Sequence, residues 1–169
     1  MSFRMIIVLI LSTYIAGTNA CFCSPAQSTK ESFCKADWVS HVKVLGTVNN
    51  GNKNALNDIT YLLEHKDVFK RPEKVKKLPS EVQTALSETA CGIKLKIGTE
   101  YLLAGSTWEN AFFTYRCGQI VQDGTTSSPT EFGMPPEWDN VSNETKSLLR
   151  TVSCDNHRTR TTTNEKLDR

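Results

Sequence analysis

The sequence predicts a mainly β domain: a five-stranded, partly open Greek-key barrel of OB type, carrying two or three short helices and stapled by three disulfides. Three observations carry this reading. Several short segments alternate apolar and polar residues with period two, the mark of a strand with one buried face. Turn-forming residues separate them, and two other segments have helical spacing. Six cysteines, Cys21, Cys23, Cys34, Cys91, Cys117 and Cys154, all lie beyond residue 20.

Residues 1–20 read as a cleaved signal peptide. Arg4 supplies the positive start, Met5 to Leu11 the apolar run, and Thr18-Asn19-Ala20 a small-x-small cleavage site. A membrane anchor would need ~20 apolar residues, far more than this run offers. Removing this segment, with its single base and no acid, leaves 149 residues with 19 bases and 18 acids, net +1. That is one domain, 21–154, large enough to own a core, and its charge balance argues against a general nucleic-acid binder. The tail 155–169 is Thr-, Arg- and Asn-rich with Leu167 as its one large apolar residue, and it is expected to be disordered.

A secreted chain with an even cysteine count forms disulfides, and the sequence alone leaves their pairing open. A thiolate metal site at Cys21-x-Cys23 is the alternative, disfavoured because an oxidising compartment consumes thiols. Cys21 then becomes the first residue of the processed chain. A free α-amine and a carbonyl, clamped by two half-cystines, make a rigid pair of metal donors.

The elements follow in order. Ser24-Pro25 is a helix start, with Ser24 as N-cap and Pro25 at the first turn, and Phe33-Cys34 closes the helix. Asp37 to Val48 is a strand: Trp38, Val42, Val44 and Val48 share one parity, while His41 and Lys43 take the other. Asn49 to Asn54 is a polar turn with an Asn-Gly hairpin signal. Asp58 to Phe69 returns, with Ile59, Tyr61 and Leu63 in phase and Leu62 blurring the pattern. Val82 to Ala90 is a short strand or turn. Ile93, Leu95 and Ile97 alternate with Lys94 and Lys96 as a further strand. Tyr101 to Gly105 and Ala111 to Tyr115 are two more, and Asp123 to Pro129 is a loop. After Pro135-Pro136, the residues Trp138, Val141, Thr145, Leu148, Leu149 and Val152 fall on one helical face. Asn140 and Asn143 are glycosylation acceptors, too close for both to be filled, with Asn143 the better exposed.

His41, His65 and His157 stand apart, and no zinc-protease, nucleophile-elbow or phosphate-loop motif occurs. The chain is therefore not expected to be an enzyme. Lys70, Arg71, Lys74, Lys76 and Lys77, with Lys66, form a basic cluster, read as a solvated loop or as a patch for acidic glycans or matrix.

Several stretches resemble the tissue inhibitors of metalloproteinases: Cys21-Phe22-Cys23-Ser24-Pro25, Phe33-Cys34 and Asp37 to Gly46; Ile59-x-Tyr61 leading to Val68-Phe69-Lys70-x-Pro72-Glu73-Lys74; Cys91-Gly92; and Glu100 to Gly105. The similarity runs from Cys21 to Cys154 and concerns that family's N-terminal, netrin-like domain. Nothing matches its six-cysteine C-terminal domain, so a single-domain relative is expected.

The resemblance implies the pairs Cys21–Cys91, Cys23–Cys117 and Cys34–Cys154. It also implies that Cys21 chelates the catalytic zinc of a partner metalloprotease through its amino nitrogen and carbonyl oxygen. The chain would need no cofactor of its own. Phe22 would enter the S1′ pocket, with Cys23 and Ser24 along the primed side and Glu88, Thr89 and Ala90 as a second contact segment. Phe22 departs from the small residue usual in the family, which predicts a bias toward deep S1′ pockets. The alternative is a secreted netrin-like matrix- or glycan-binding module without protease inhibition.

Overall fold

The strand Trp38–Val48 (β1) organises the molecule because it is buried on both sides. Trp38, Val42 and Val44 point into the barrel and are fully buried, and Val39 on the opposite face is buried as well. In the computed structural model, which describes Cys21, Cys23 and residues 28–48, 58–124 and 133–154, β1 pairs antiparallel with Asp58–Lys70 (β2) on one edge. On the other edge it pairs with Glu100–Trp108 (β4). Glu81–Ala85 (β3) and Ala111–Phe113 (β5) complete a closed barrel in the order β1-β2-β3-β5-β4.

Every junction is antiparallel except β3–β5, a parallel contact with the single register pair Gln83↔Phe113. Three register irregularities in the β1–β2 ladder, at Val39/Ser40, His41/Val42 and Val44/Gly46, supply local bends. Bends of this kind let a long strand curve around a small barrel. At Gly105 the backbone passes so close to its neighbours that an added Cβ would lie 1.9 Å from the Phe113 carbonyl oxygen and 2.7 Å from the Trp38 ring.

The inner core runs from Trp38 through Tyr61, Leu63 and Val82 to Leu103 and Phe112. A second apolar layer covers the outer face of the sheet, joining Phe33, Val39, Leu102, Ala104, Val141 and Leu149. Two helices form that layer, Thr29–Lys35 (α1) and Asn143–Thr151 (α2).

The structure corrects four local expectations. The cap of α1 is Ser28, whose hydroxyl accepts from the Glu31 amide at 3.1 Å, and not Ser24; Ser24 and Pro25 lie outside the described residues. The stretch Ile93 to Ile97 is not a strand. Its amides are taken by side-chain hydroxyls: Ile93 N–H donates to Thr84 Oγ1, Leu95 N–H to Tyr61 Oη and Lys96 N–H to Tyr101 Oη. Ile93 and Leu95 are buried, but Ile97 is 64 % exposed.

The C-terminal helical stretch is broken. A 3₁₀ turn spans Trp138–Asn140, and α2 starts afresh at the N-cap Ser142, whose hydroxyl accepts from the Thr145 amide at 3.1 Å. Serine competes for the backbone in this way, which favours caps over helix interiors. The strand expected over Ala111 to Tyr115 ends at Phe113.

The hairpin β4–β5 turns on Glu109 and Asn110, with φ of 47° and 70°. Two positive φ values in a two-residue loop match the twist of the flanking strands. The Asn-Gly turn, the loop from residue 125 onward and the tail 155–169 lie outside the described residues. Among the described residues no helix is long and apolar enough to cross a membrane.

Candidate functional site

The chain leaving β3 forms a tight, exposed turn. Ser87 caps a 3₁₀ turn over Glu88–Ala90 by accepting from the Thr89 amide at 3.2 Å. Cys91 closes it in a left-handed conformation, φ 64°, donating its N–H to the Glu88 carbonyl at 3.1 Å. Gly92 follows because a Cβ there would stand 1.9 Å from the Ala85 carbonyl oxygen. Residues 86–90 are all exposed. Lys94 pairs with Glu88 at 3.0 Å, and that hydrogen bond and charge hold the Glu88 carboxyl below the usual carboxylate range, with Arg116 adding a smaller pull.

The chain leaving β5 makes a matching turn over Arg116–Gly118, which carries Cys117. The Arg116 amide donates to the Cys91 carbonyl at 2.8 Å, so the two turns are joined through backbone. Onto this pair the N-terminal segment is fastened twice, by Cys21–Cys91 and by Cys23–Cys117. The third bridge, Cys34–Cys154, ties α1 to the end of α2. These are the pairs that the resemblance implies.

The two N-terminal bridges lie side by side. Cys21 Sγ is 3.4 Å from Cys117 Sγ and 3.9 Å from Cys23 Sγ, and Cys91 Sγ is 3.7 Å from Cys117 Sγ. Cys21, Cys23 and Cys117 offer three sulfurs within 4.8 Å of one another, but all are consumed in disulfides here, so none is a thiolate ligand. Phe22 and Ser24 lie outside the described residues. The result is a ridge: half-buried Cys21 and Cys23 are bridged to the two turns, one of which exposes Glu88, Thr89 and Ala90.

The family model for the tissue inhibitor of metalloproteinase matches residues 19–151. This chain belongs to that family. It is 42% identical over 154 residues to the Caenorhabditis elegans protein tag-225, named as a metalloproteinase inhibitor, covering 87% of this chain and 96% of that one. It is 35% identical over 105 residues to human metalloproteinase inhibitor 2, covering 58% of this chain and 46% of the relative. The bovine inhibitor 2 matches at 33% over 131 residues, 58% of its length. The chain thus spans nearly all of the nematode relative and about half of the mammalian ones.

Two apolar side chains at the edges of the ridge escaped the sequence reading. Leu86 is 50 % exposed just before the Glu88 turn, and Tyr115 is 39 % exposed just before Cys117. The sequence reading puts Tyr115 in a buried strand and Leu86 in a stretch that is strand or turn; Cys117, two residues beyond Tyr115, is the available signal for the former.

The other flagged residues of this family member serve elsewhere. His41 Nε2 lies 2.7 Å from Glu100, and its ring stacks on Trp138 at 3.8 Å. His65 sits between Ser40 Oγ and the Pro79 carbonyl, each at 2.9 Å. Burial pushes the His65 imidazole below its usual range; the bond to Pro79 opposes this and the Lys77 charge assists it. His157 lies outside the described residues.

Lys70 does not join an open basic patch. Its ammonium donates to the Phe33 and Cys34 carbonyls at 2.9 and 3.0 Å, capping the end of α1, and burial lowers its pKa. Arg71 is turned onto the Val75 and Lys76 carbonyls. Lys74, Lys76 and Lys77 remain exposed, as do Asn140 and Asn143.

Proposed function

We propose that this chain is a secreted inhibitor of zinc metalloproteases and that its ridge is the inhibitory edge. The observation that carries the reading is the double fastening of the N-terminal segment, Cys21 onto the end of the exposed turn at Glu88–Ala90 and Cys23 onto the adjoining turn at Arg116–Gly118. After removal of residues 1–20, the Cys21 amino nitrogen and carbonyl oxygen chelate the catalytic zinc of the target. A catalytic zinc keeps one position open beside three protein ligands, and a bidentate donor displaces its water. The amine donates as the neutral form, which its ordinary pKa of ~7.7–8 makes accessible near neutral pH. Phe22 occupies the S1′ pocket, Cys23 and Ser24 run along the primed side, and Glu88, Thr89 and Ala90 make the second contact. Leu86 and Tyr115 border that contact. Because crosslinks fix the ridge beforehand, little ordering entropy is lost on association.

The test is inhibition of purified matrix metalloproteases by protein confirmed to start at Cys21, beside the same protein extended by one alanine. The reading expects strong inhibition by the first and a loss of about 100-fold or more, equivalent to ~2.7 kcal/mol, in the second. Equal potency would overturn it.

A second reading rests on Lys74, Lys76 and Lys77, which project from the loop between β2 and β3 and form a patch for acidic glycans or matrix. It predicts retention on heparin that is lost when these three are neutralised, with inhibition unchanged.

A further inference from the structure

Next to the start of β3 the surface is hollowed by an open groove of about 510 Å³, within the ~300–1,000 Å³ range of ligand sites. Leu45 of β1 and Leu63 and His65 of β2 line it, and Lys77, Leu78 and Pro79 of the loop between β2 and β3 close it. Leu45 is 48 % exposed, although the outward positions of an antiparallel sheet are ordinarily polar. The Gly98 amide donates to the Val44 carbonyl at 2.7 Å, which sets the exposed Ile97 close by.

The loop wall is fixed before any partner arrives. Leu78 is buried in the inner core, and the Leu63 amide donates to the Ser80 carbonyl at 2.7 Å. Arg71 is folded back onto the Val75 and Lys76 carbonyls. His65 has both ring nitrogens engaged, on Ser40 and on the Pro79 carbonyl. Charge at the groove is therefore left to the lysines. Residues 71–80 hold four bases and one acid, Glu73. Lys74, Lys76 and Lys77 are exposed, and the Lys77 charge is felt at His65 across the groove. The one acid that lines the groove, Glu64, is paired with Lys66 at 2.9 Å.

An apolar floor beside three exposed lysines suits an anionic partner that also carries an apolar side chain. We propose that this groove binds an acidic segment of a partner polypeptide. A large apolar side chain of that segment sits against Leu45 and Leu78, and the carboxylates flanking it meet Lys74, Lys76 and Lys77. Because the wall is already in place, little ordering entropy is lost there. The five residues of β3 separate the groove from the turn that leads into the ridge, a distance of about 16 Å. One partner can thus hold the chain while the ridge faces another. The groove has this role whether or not the ridge inhibits a protease. It shares its lysines with the glycan patch described above, but a glycan uses those cations alone, whereas a peptide also needs Leu45.

The experiment titrates the chain from Cys21 onward, with its three disulfides intact, into a fluorescein-labelled decapeptide of aspartate and glutamate with one central phenylalanine. Anisotropy should rise to saturation at one peptide per chain. Alanine in place of the phenylalanine should weaken binding by about 10-fold or more, the worth of burying a phenyl ring. Leu45→Glu should do the same, as should Lys76→Glu combined with Lys77→Glu. Trp108→Ser, which removes an exposed apolar side chain on the β4–β5 hairpin, should leave the affinity unchanged. Absence of saturable binding overturns the proposal. So does equal affinity for the phenylalanine and alanine peptides, which needs no change in the protein and would assign the lysines to polyanions such as glycans.

Discussion

Around Cys21 and Cys23 two disulfides fasten a segment whose neighbours, residues 86–90, are all exposed. Around Cys34–Cys154 a single disulfide lies on a packed layer in which Phe33, Val39 and Leu149 are almost fully buried. The loops closed by Cys23–Cys117 and Cys34–Cys154 are alike in length, with separations of 94 and 120 residues. Chain entropy therefore assigns them similar stabilisation, about 4.7 kcal/mol for a ~100-residue loop. Their difference lies in what else holds each region. An edge whose residues stay exposed cannot be ordered by burying its own side chains, and covalent links take over that task.

The sharpest way to break this comparison is to open one bridge at a time. With Cys23→Ala and Cys117→Ala, inhibition of matrix metalloproteases should fall by about 100-fold or more. With Cys34→Ala and Cys154→Ala the inhibition constant should stay within roughly 3-fold, while unfolding free energy drops by ~2–5 kcal/mol. Urea unfolding and inhibition assays on both pairs decide it, and equal loss of inhibition would dissolve the distinction.

Next comes Leu149→Ala in the helical layer, 2 % exposed in the folded chain. Its cavity should lower stability by ~2–5 kcal/mol, with inhibition unaltered below the melting temperature.

At the ridge, Phe22→Thr should weaken binding to proteases with deep S1′ pockets by roughly 10–100-fold, the worth of burying a phenyl group. Binding to shallow-pocket members should be retained or improved. Equal inhibition of shallow-pocket members by both forms would refute the role given to Phe22.

The smallest effect concerns His65, which belongs to the barrel and not to the ridge. Its folded pKa is depressed, first by burial. The unfolded chain takes up the proton first as pH falls through ~6.5. Stability is thus fully present above that pH and declines below it until the folded group titrates. Melting temperatures between about pH 7 and pH 5 should fall less steeply for His65→Gln than for the wild type.

Much of the barrel is legible in the sequence because β1 and β2 keep one parity over many residues. Trp38, Val42, Val44, Tyr61 and Leu63 all face inward as alternation requires. The same rule misleads at Ile93 to Ile97, since alternation reports an extended chain with one buried side and is blind to where its amides bond. There the partners are side-chain hydroxyls of Tyr61, Thr84 and Tyr101, which alternation does not report. The break at Val141–Ser142 is hidden for a related reason: a 3₁₀ turn and an α-helix can share one apolar face while Ser142 restarts the backbone. The ridge is announced by its cysteines, but their pairing came through the family resemblance, because spacing alone leaves it open.

The parallel contact between β3 and β5 rests on one register pair, Gln83 and Phe113. It is the narrowest join in the barrel wall. The turns that leave these two strands carry Cys91 and Cys117, and the Cys21-to-Cys23 segment spans them. The ridge, the inhibitory edge in the function proposed above, is therefore also a buckle across the weakest seam. In that role, a force applied at the tip by a bound protease would pass straight into the wall, and severing the tip would slacken the whole cylinder as well as blunt its edge.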